Sequence, residues 1–119
     1  MAIKRFEDIK AWKAARELTQ AIYQLTAQGK FAKDFGLRDQ IQRASVSIMA
    51  NVSEGFDSNS DDEFVRFLRY ALRSGTEVQS HLYVALDQAY IDRDAFDSLY
   101  NQADKVRSII SGFIRYLRS

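Results

Sequence analysis

Three arginines at helical steps are the residues of this sequence whose chemistry stands out. If residues 61–89 form one helix, Arg66, Arg69 and Arg73 fall within about 60° of arc, because each residue turns an α-helix by about 100°. Guanidinium groups bind phosphate through paired hydrogen bonds, and an aromatic ring such as that of Tyr70 can stack on a base. The pattern predicts a surface that contacts an RNA backbone.

Arginines on the flanking predicted helices could extend that surface: Arg38, Arg43, Arg107, Arg115 and Arg118. The alternative is an ordinary solvated helix face whose charges pair locally, with Asp62 opposite Arg66 at the i,i+4 spacing. The formal net charge is only +1, and phosphate affinity depends on how many cations meet the backbone. Any nucleic-acid site must therefore be a local patch.

A second group of polar residues lies close to the apolar faces of the middle two predicted helices: Asn51, Glu54 and Glu77. These residues could form a polar cluster at one end of the molecule. They could instead bond to a neighbouring helix or to the N-terminal segment and fix its register, as buried polar groups do. Arg43 is a natural partner for one of the two carboxylates.

No catalytic or metal-binding pattern fits the sequence. Di-metal sites in helical bundles use Glu-x-x-His pairs, whereas the single histidine, His81, follows Glu77 by four residues. The chain has no cysteine for a thiolate nucleophile, and it has no glycine-rich phosphate loop. The sequence therefore predicts a protein that is not an enzyme and that has no metal or other cofactor.

Four helices must position these residues, and the predicted helices span residues 8–28, 37–54, 61–89 and 92–119. Asp8, Ser60 and Asp92 are predicted N-caps, and Ser60 with Glu63 gives an S-x-x-E capping box. Gly29 and Gly55 are predicted to end the first two helices, because glycine readily takes a positive φ.

Short connections between four amphipathic helices predict an all-α, antiparallel up-down-up-down four-helix bundle, formed by a single domain spanning residues 1–119. The chain has no proline, and no window alternates as a strand would. No apolar run approaches the ~20 residues of a membrane span, and no signal peptide is recognised at the N-terminus. The absence of cysteine fits a cytoplasmic protein.

Several motifs share their order and spacing with one known family. They are Phe6-Glu-Asp-Ile-Lys-Ala-Trp12, then Gln40, Arg43-Ala44, Ser47-Ile48, Asn51-Val52 and Glu54-Gly55, and finally Ser60, Glu63-Phe64, Phe67-Leu68, Ala71, Ser74, Glu77 and Tyr90-Ile91. On these motifs nearly the whole chain resembles the 23S rRNA intervening-sequence proteins, a bacterial four-helix-bundle family. The chain departs from the family pattern at Gln42, Met49, Arg73 and Gly75.

The resemblance implies a homopentamer with an RNA-linked role, since related accessory proteins of diversity-generating retroelements form pentameric barrels that bind reverse transcriptase and nucleic acid. The sequence thus predicts a cytoplasmic, non-enzymatic, homo-oligomeric adaptor whose partners are its own copies and either RNA or an RNA-associated protein. The alternative is a protein-interaction scaffold with no nucleic-acid role. RNA affinity that falls steeply with salt would separate the two.

Overall fold

The computed structural model describes residues 3–119, which form four long helices. They are α1 (Lys10–Thr26), α2 (Phe35–Phe56), α3 (Asp61–Asp87) and α4 (Arg93–Arg118), preceded and interrupted by two short 3-10 turns at Phe6–Asp8 and Phe31–Lys33. No strand occurs in the described part of the chain. The predicted all-α bundle is confirmed.

Each helix packs along the next helix in the chain, and α4 also packs against α1, which closes the bundle. Helices α2 and α3 run antiparallel, since Gly55 near the end of α2 lies against Phe64 while Ser47 bonds to Ser74 further along. The molecule measures 44 × 21 × 19 Å. Its long axis is therefore the helix direction.

The core consists of apolar side chains from all four helices. Its largest fully buried side chains include Leu18, Ile22, Ile41, Ile48, Leu68, Leu82 and Ile110. Burying one such side chain contributes roughly 1.5–3 kcal/mol relative to exposure, so these positions hold the helix registers. Phe113 and Leu117 near the end of α4 are only partly buried, because they lie at the end of the bundle.

Two of the three predicted N-caps are confirmed. Ser60 accepts a hydrogen bond from the Glu63 amide at 3.2 Å, and Asp92 accepts one from the Ala95 amide at 2.8 Å. Asp8 is not a cap, because it lies in the first 3-10 turn and α1 starts after the extended residue Ile9. Helix α2 instead has a cap that the sequence analysis missed, in which Asp34 accepts from the Leu37 amide at 3.1 Å.

Of the two glycines predicted to end helices, only Gly29 lies beyond the end of its helix. Gly29 has φ +55° and follows α1, as predicted. Gly55 does not end α2, which continues to Phe56. A Cβ at residue 55 would lie 2.7 Å from Phe64 Cδ1 and 3.0 Å from Phe67 Cβ, so any larger residue would force α3 to shift. The reason for glycine is close helix packing rather than a backbone turn.

Candidate nucleic-acid interface

The predicted arginine face lies on the outer surface of α3. Arg66, Arg69 and Arg73 are all exposed, on the side of the helix opposite the buried residues Leu68, Ala71 and Val78. The same periodicity that buries the apolar stripe places these three cations together in solvent. We call the surface formed by Arg66, Arg69, Tyr70 and Arg73 the arginine face.

Tyr70 lies between two of these arginines. The guanidinium carbon of Arg73 is 5.5 Å from the Tyr70 ring centroid, and that of Arg66 is 5.8 Å away. Arg66 also lies 5.6 Å from the Phe67 ring. Cation–π contacts of this length hold flexible arginine side chains against a flat aromatic surface. The arrangement combines phosphate-binding groups with a ring on which a base can stack.

The three arginines differ in how far their charge is already paired. Arg66 donates to Glu63 Oε2 at 2.9 Å, and this hydrogen bond raises the pKa of the Arg66 guanidinium above its ordinary value. The alternative interpretation paired Arg66 with Asp62, but Asp62 pairs with Arg118 of α4 at 2.6 Å and the local partner of Arg66 is Glu63. Among residues 3–119 neither Arg69 nor Arg73 forms an ion pair.

The two predicted arginines of α2 lie elsewhere. Arg38 is occupied at the start of that helix, where it donates to the Ala32 carbonyl at 3.0 Å and lies 4.7 Å from the Phe35 ring centroid. Arg43 is exposed and lines a hollow of about 270 Å³ in the α2–α3 groove, beside Glu77. The arginine face is thus formed by residues of α3, and Arg43 lines the adjoining α2–α3 groove.

Asn51, Glu54 and Glu77 lie in different surroundings. Asn51 donates to the Ser47 carbonyl at 2.9 Å and to Ser47 Oγ at 3.1 Å. Glu54 lines a hollow of about 530 Å³ with residues of the N-terminal segment, whereas Glu77 lines the hollow beside Arg43. The two carboxylates, Glu54 and Glu77, therefore lie in different grooves.

The polar link between α2 and α3 is made by two serines that the sequence analysis did not assign to a site. Ser74 donates to Ser47 Oγ at 2.9 Å, and Ser74 is buried. This link could have been predicted from the small side chains of α2, such as Ser45, Ser47 and Ala50, because small side chains permit close approach of a neighbouring helix. A hydroxyl pair at such a contact fixes the register of the two helices.

A lysine-lined groove between α1 and α4 was also missed. Lys10, Lys13 and Lys105 line a hollow of about 400 Å³ together with Glu17, Val106 and Ile109. An adjoining hollow of about 380 Å³ continues the groove toward Phe113 and Tyr116. The lysines come from the two ends of the sequence, so no local pattern could group them. We call this surface the lysine groove.

Residues 3–119 contain no group of three or more His, Cys, Asp or Glu side chains placed to hold a metal ion. His81 Nε2 lies 4.0 Å from Glu77 Oε2 and has no hydrogen-bond partner in the described chain. Within the same residues, no helix has the length and apolar character needed to cross a bilayer.

Comparisons with known proteins agree with this architecture. A family model described as 23S rRNA-intervening sequence protein matches residues 7–112. A crystal structure of a protein with unknown function, from the S23 ribosomal protein family of Bacteroides thetaiotaomicron, is similar with a TM-score of 0.80 and 24% identity. The alignment covers 87% of this chain and 97% of that one, and at this identity it shows the fold alone. A search of the curated proteins gives no match.

Proposed function

The chain belongs to the 23S rRNA-intervening sequence protein family, and we propose that it is a cytoplasmic, non-enzymatic adaptor that binds RNA as a homo-oligomer. One observation carries this proposal, which is the arginine face of α3. There Arg69 and Arg73 form no ion pair with the described residues, and Tyr70 is flanked by Arg66 and Arg73. These groups are matched to the phosphates and bases of a single strand.

The side chains of the arginine face bind different parts of the RNA strand. Arg69 and Arg73 bind phosphates, and the Tyr70 ring, flanked by Arg66 and Arg73, stacks on a base. Arg66 contributes less, because Glu63 already satisfies part of its hydrogen-bonding capacity. Two full phosphate contacts and one partial contact with single-stranded RNA correspond to a slope of log K against log salt between roughly −1.4 and −2. One subunit therefore binds RNA weakly at physiological salt.

Self-association would raise the affinity for RNA, because several subunits then contact one strand. In such an oligomer we assign three exposed large side chains to subunit contacts, since aromatic residues are enriched at interfaces: Phe35 at 63%, Tyr116 at 59% and Tyr83 at 50%. We propose the homopentamer that the family resemblance implies. A ring of five subunits presents five arginine faces to one strand, which raises affinity by increasing the effective concentration of binding sites. Light scattering at micromolar protein tests this, and a stable monomer there would exclude the ring.

The RNA proposal is tested by fluorescence anisotropy of nuclease-treated protein with labelled single-stranded RNA across a salt series. We expect Arg69→Glu and Arg73→Glu each to weaken binding about tenfold or more, since each reversal removes an attractive charge and adds a repulsive one. Arg16→Glu is the matched control, because Arg16 is exposed on α1, which packs against α2 and α4. Equal losses in all three variants would mean that only net charge matters and would refute the arginine face.

A second candidate function is a protein-interaction scaffold without an RNA role, and the lysine groove favours it. Its three lysines outnumber the one carboxylate, Glu17, and lie beside Val106 and Ile109, so the groove is suited to a partner that offers both carboxylates and apolar side chains. A scaffold predicts no RNA binding at low salt and no response to Arg69→Glu. Loss of a protein partner on Lys13→Glu, with RNA titrations flat, would favour the scaffold over the adaptor.

A further inference from the structure

A small polar hollow on α4 contains two arginines and two serines. This hollow of about 170 Å³ is lined by Asp104, Arg107, Ser108, Ser111 and Arg115. The spacing of these residues on one helix gives two cations and two hydroxyl groups around a common space. One carboxylate opposes two guanidinium groups, so the hollow has a net positive charge.

The side chain of Arg107 is held in place by a glycine of the neighbouring helix. A Cβ built on Gly75 would lie 2.8 Å from Arg107 Cγ and 3.1 Å from its Cδ, so the aliphatic part of Arg107 fills the space that a larger residue would need. Arg107 Nε is buried and has no hydrogen-bond partner among the described residues. The stem is therefore fixed, and only the outer part of the guanidinium faces the hollow.

The fixed guanidinium is only loosely paired. Arg107 Nη1 lies 3.7 Å from Asp104 Oδ1, which is beyond ordinary hydrogen-bond length, and the same carboxylate oxygen lies 3.4 Å from Gln79 Nε2. Arg107 thus keeps hydrogen-bond donors that the protein does not satisfy. A guanidinium that is positioned in advance loses little rotamer entropy when an anion arrives, which favours binding.

We propose that this hollow is a binding site for a phosphate group. Arg107 is the fixed donor, Arg115 closes on the anion from the exposed side, and the hydroxyls of Ser108 and Ser111 donate to the remaining oxygens. The phosphate has two sources, the backbone of an RNA strand or free phosphate in solution. The first source rests on the function proposed above, whereas the second does not.

The site is tested by NMR titration of the isotopically labelled full-length protein with inorganic phosphate, using chloride at equal ionic strength as the reference. We expect saturable shifts at the amides of residues 107–115. Arg107→Gln and the double variant Ser108→Ala, Ser111→Ala should each weaken phosphate binding about fivefold, the scale of one exposed charged hydrogen bond.

Gly75→Ala provides the sharper variant, because it removes no charge and no donor. Its new methyl group displaces the stem of Arg107, so phosphate binding should weaken to a similar degree although the net charge is unchanged. Arg93→Gln is the matched control, since Arg93 is exposed on the same helix and pairs with Asp97. Shifts no larger than those in chloride, or equal weakening by Arg93→Gln, would overturn the site.

RNA-binding titrations of the same variants distinguish this proposal from the function proposed above. If phosphate binds and Arg107→Gln also weakens RNA binding, the site holds a backbone phosphate. If phosphate binds and Arg107→Gln leaves RNA binding unchanged, the site takes free phosphate. If phosphate fails to bind while Arg69→Glu abolishes RNA binding, the hollow proposal is wrong and the RNA proposal stands.

Discussion

The hydroxyl of Tyr90 donates a hydrogen bond to Asp34 Oδ2 at 2.9 Å, which joins the turn before α4 to the start of α2. The other oxygen of the same carboxylate accepts from the Leu37 amide and caps α2. One carboxylate therefore fixes both a helix start and the contact between two loops. The Tyr90 ring packs against buried Phe31, 5.4 Å between centroids, so this end of the bundle is closed by aromatic and polar contacts together.

This contact predicts a pH-dependent contribution to stability. The hydrogen bond to Asp34 and the lower solvation of the phenol raise the pKa of Tyr90 above its ordinary value of 10.0. A raised pKa in the folded state means that the contribution is fully present below the unfolded-state pKa and is lost as pH rises through the folded-state pKa.

Urea unfolding of the wild type and Tyr90→Phe, compared at neutral and strongly alkaline pH, checks the prediction. We expect the wild type to be more stable at neutral pH and the two curves to converge in alkali. Asp34→Ala should be more destabilising than Tyr90→Phe, because it removes the helix cap as well. A constant difference at all pH values would show that ionisation of Tyr90 is not involved.

Gly55→Ala should destabilise the bundle by about 1–2 kcal/mol. The new methyl group would lie 2.7 Å from Phe64 Cδ1, and overpacking of this kind costs about 1–3 kcal/mol, offset by up to ~1 kcal/mol of better helix propensity. Gly36→Ala is the matched control, because its nearest neighbouring atom would be Asp34 Oδ1 at 3.8 Å. We expect Gly36→Ala to be neutral or stabilising in chemical denaturation. Equal effects of the two substitutions would contradict the packing explanation.

The number, order and approximate limits of the helices could be predicted from the sequence because the apolar periodicity is strong. Local hydrogen bonds that depend only on neighbouring residues, such as the Ser60 and Asp92 caps, were also predictable. The reason for glycine at residue 55 could not be predicted, because the sequence does not distinguish a glycine that ends a helix from one that packs under an aromatic ring. Its neighbour Phe64 lies on another helix.

Candidate sites formed within one helix could also be predicted, whereas sites that depend on a second helix could not. The arginine face could be predicted because its members lie on one helix at steps of three and four. The fixed position of Arg107 could not, since it depends on Gly75 of the neighbouring helix. The lysine groove combines residues nearly a hundred positions apart, such as Lys10 and Lys105, and only the closure of α4 against α1 brings them together.

The Ser47–Ser74 hydrogen bond predicts a measurable coupling between α2 and α3. Ser74→Ala and Ser47→Ala should each cost about 1 kcal/mol, because each removes a hydrogen bond at a buried helix contact. The double variant should cost less than the sum of the two, since the second substitution removes a group that the first has already left unpaired. Chemical denaturation of the four proteins measures this coupling. Strict additivity would mean that the two hydroxyls do not interact in solution.

Tyr70→Leu should separate base stacking from phosphate binding on the arginine face. Loss of one base–aromatic stack costs about 1–3 kcal/mol, so we expect RNA affinity to fall by about fivefold or more. The slope of log K against log salt should not change, because leucine leaves all three guanidinium groups in place. Anisotropy titrations across a salt series measure both quantities.

Arg69→Gln is the complementary variant and should have the opposite signature. It removes one phosphate contact, so the salt slope should become shallower by about 0.7 for a single strand. Stacking on Tyr70 is untouched, so the preference of the protein for RNA over an abasic backbone of equal charge should persist. If Tyr70→Leu flattens the slope as much as Arg69→Gln does, the ring acts only by holding Arg66 and Arg73 in position, and the bases are not read at all.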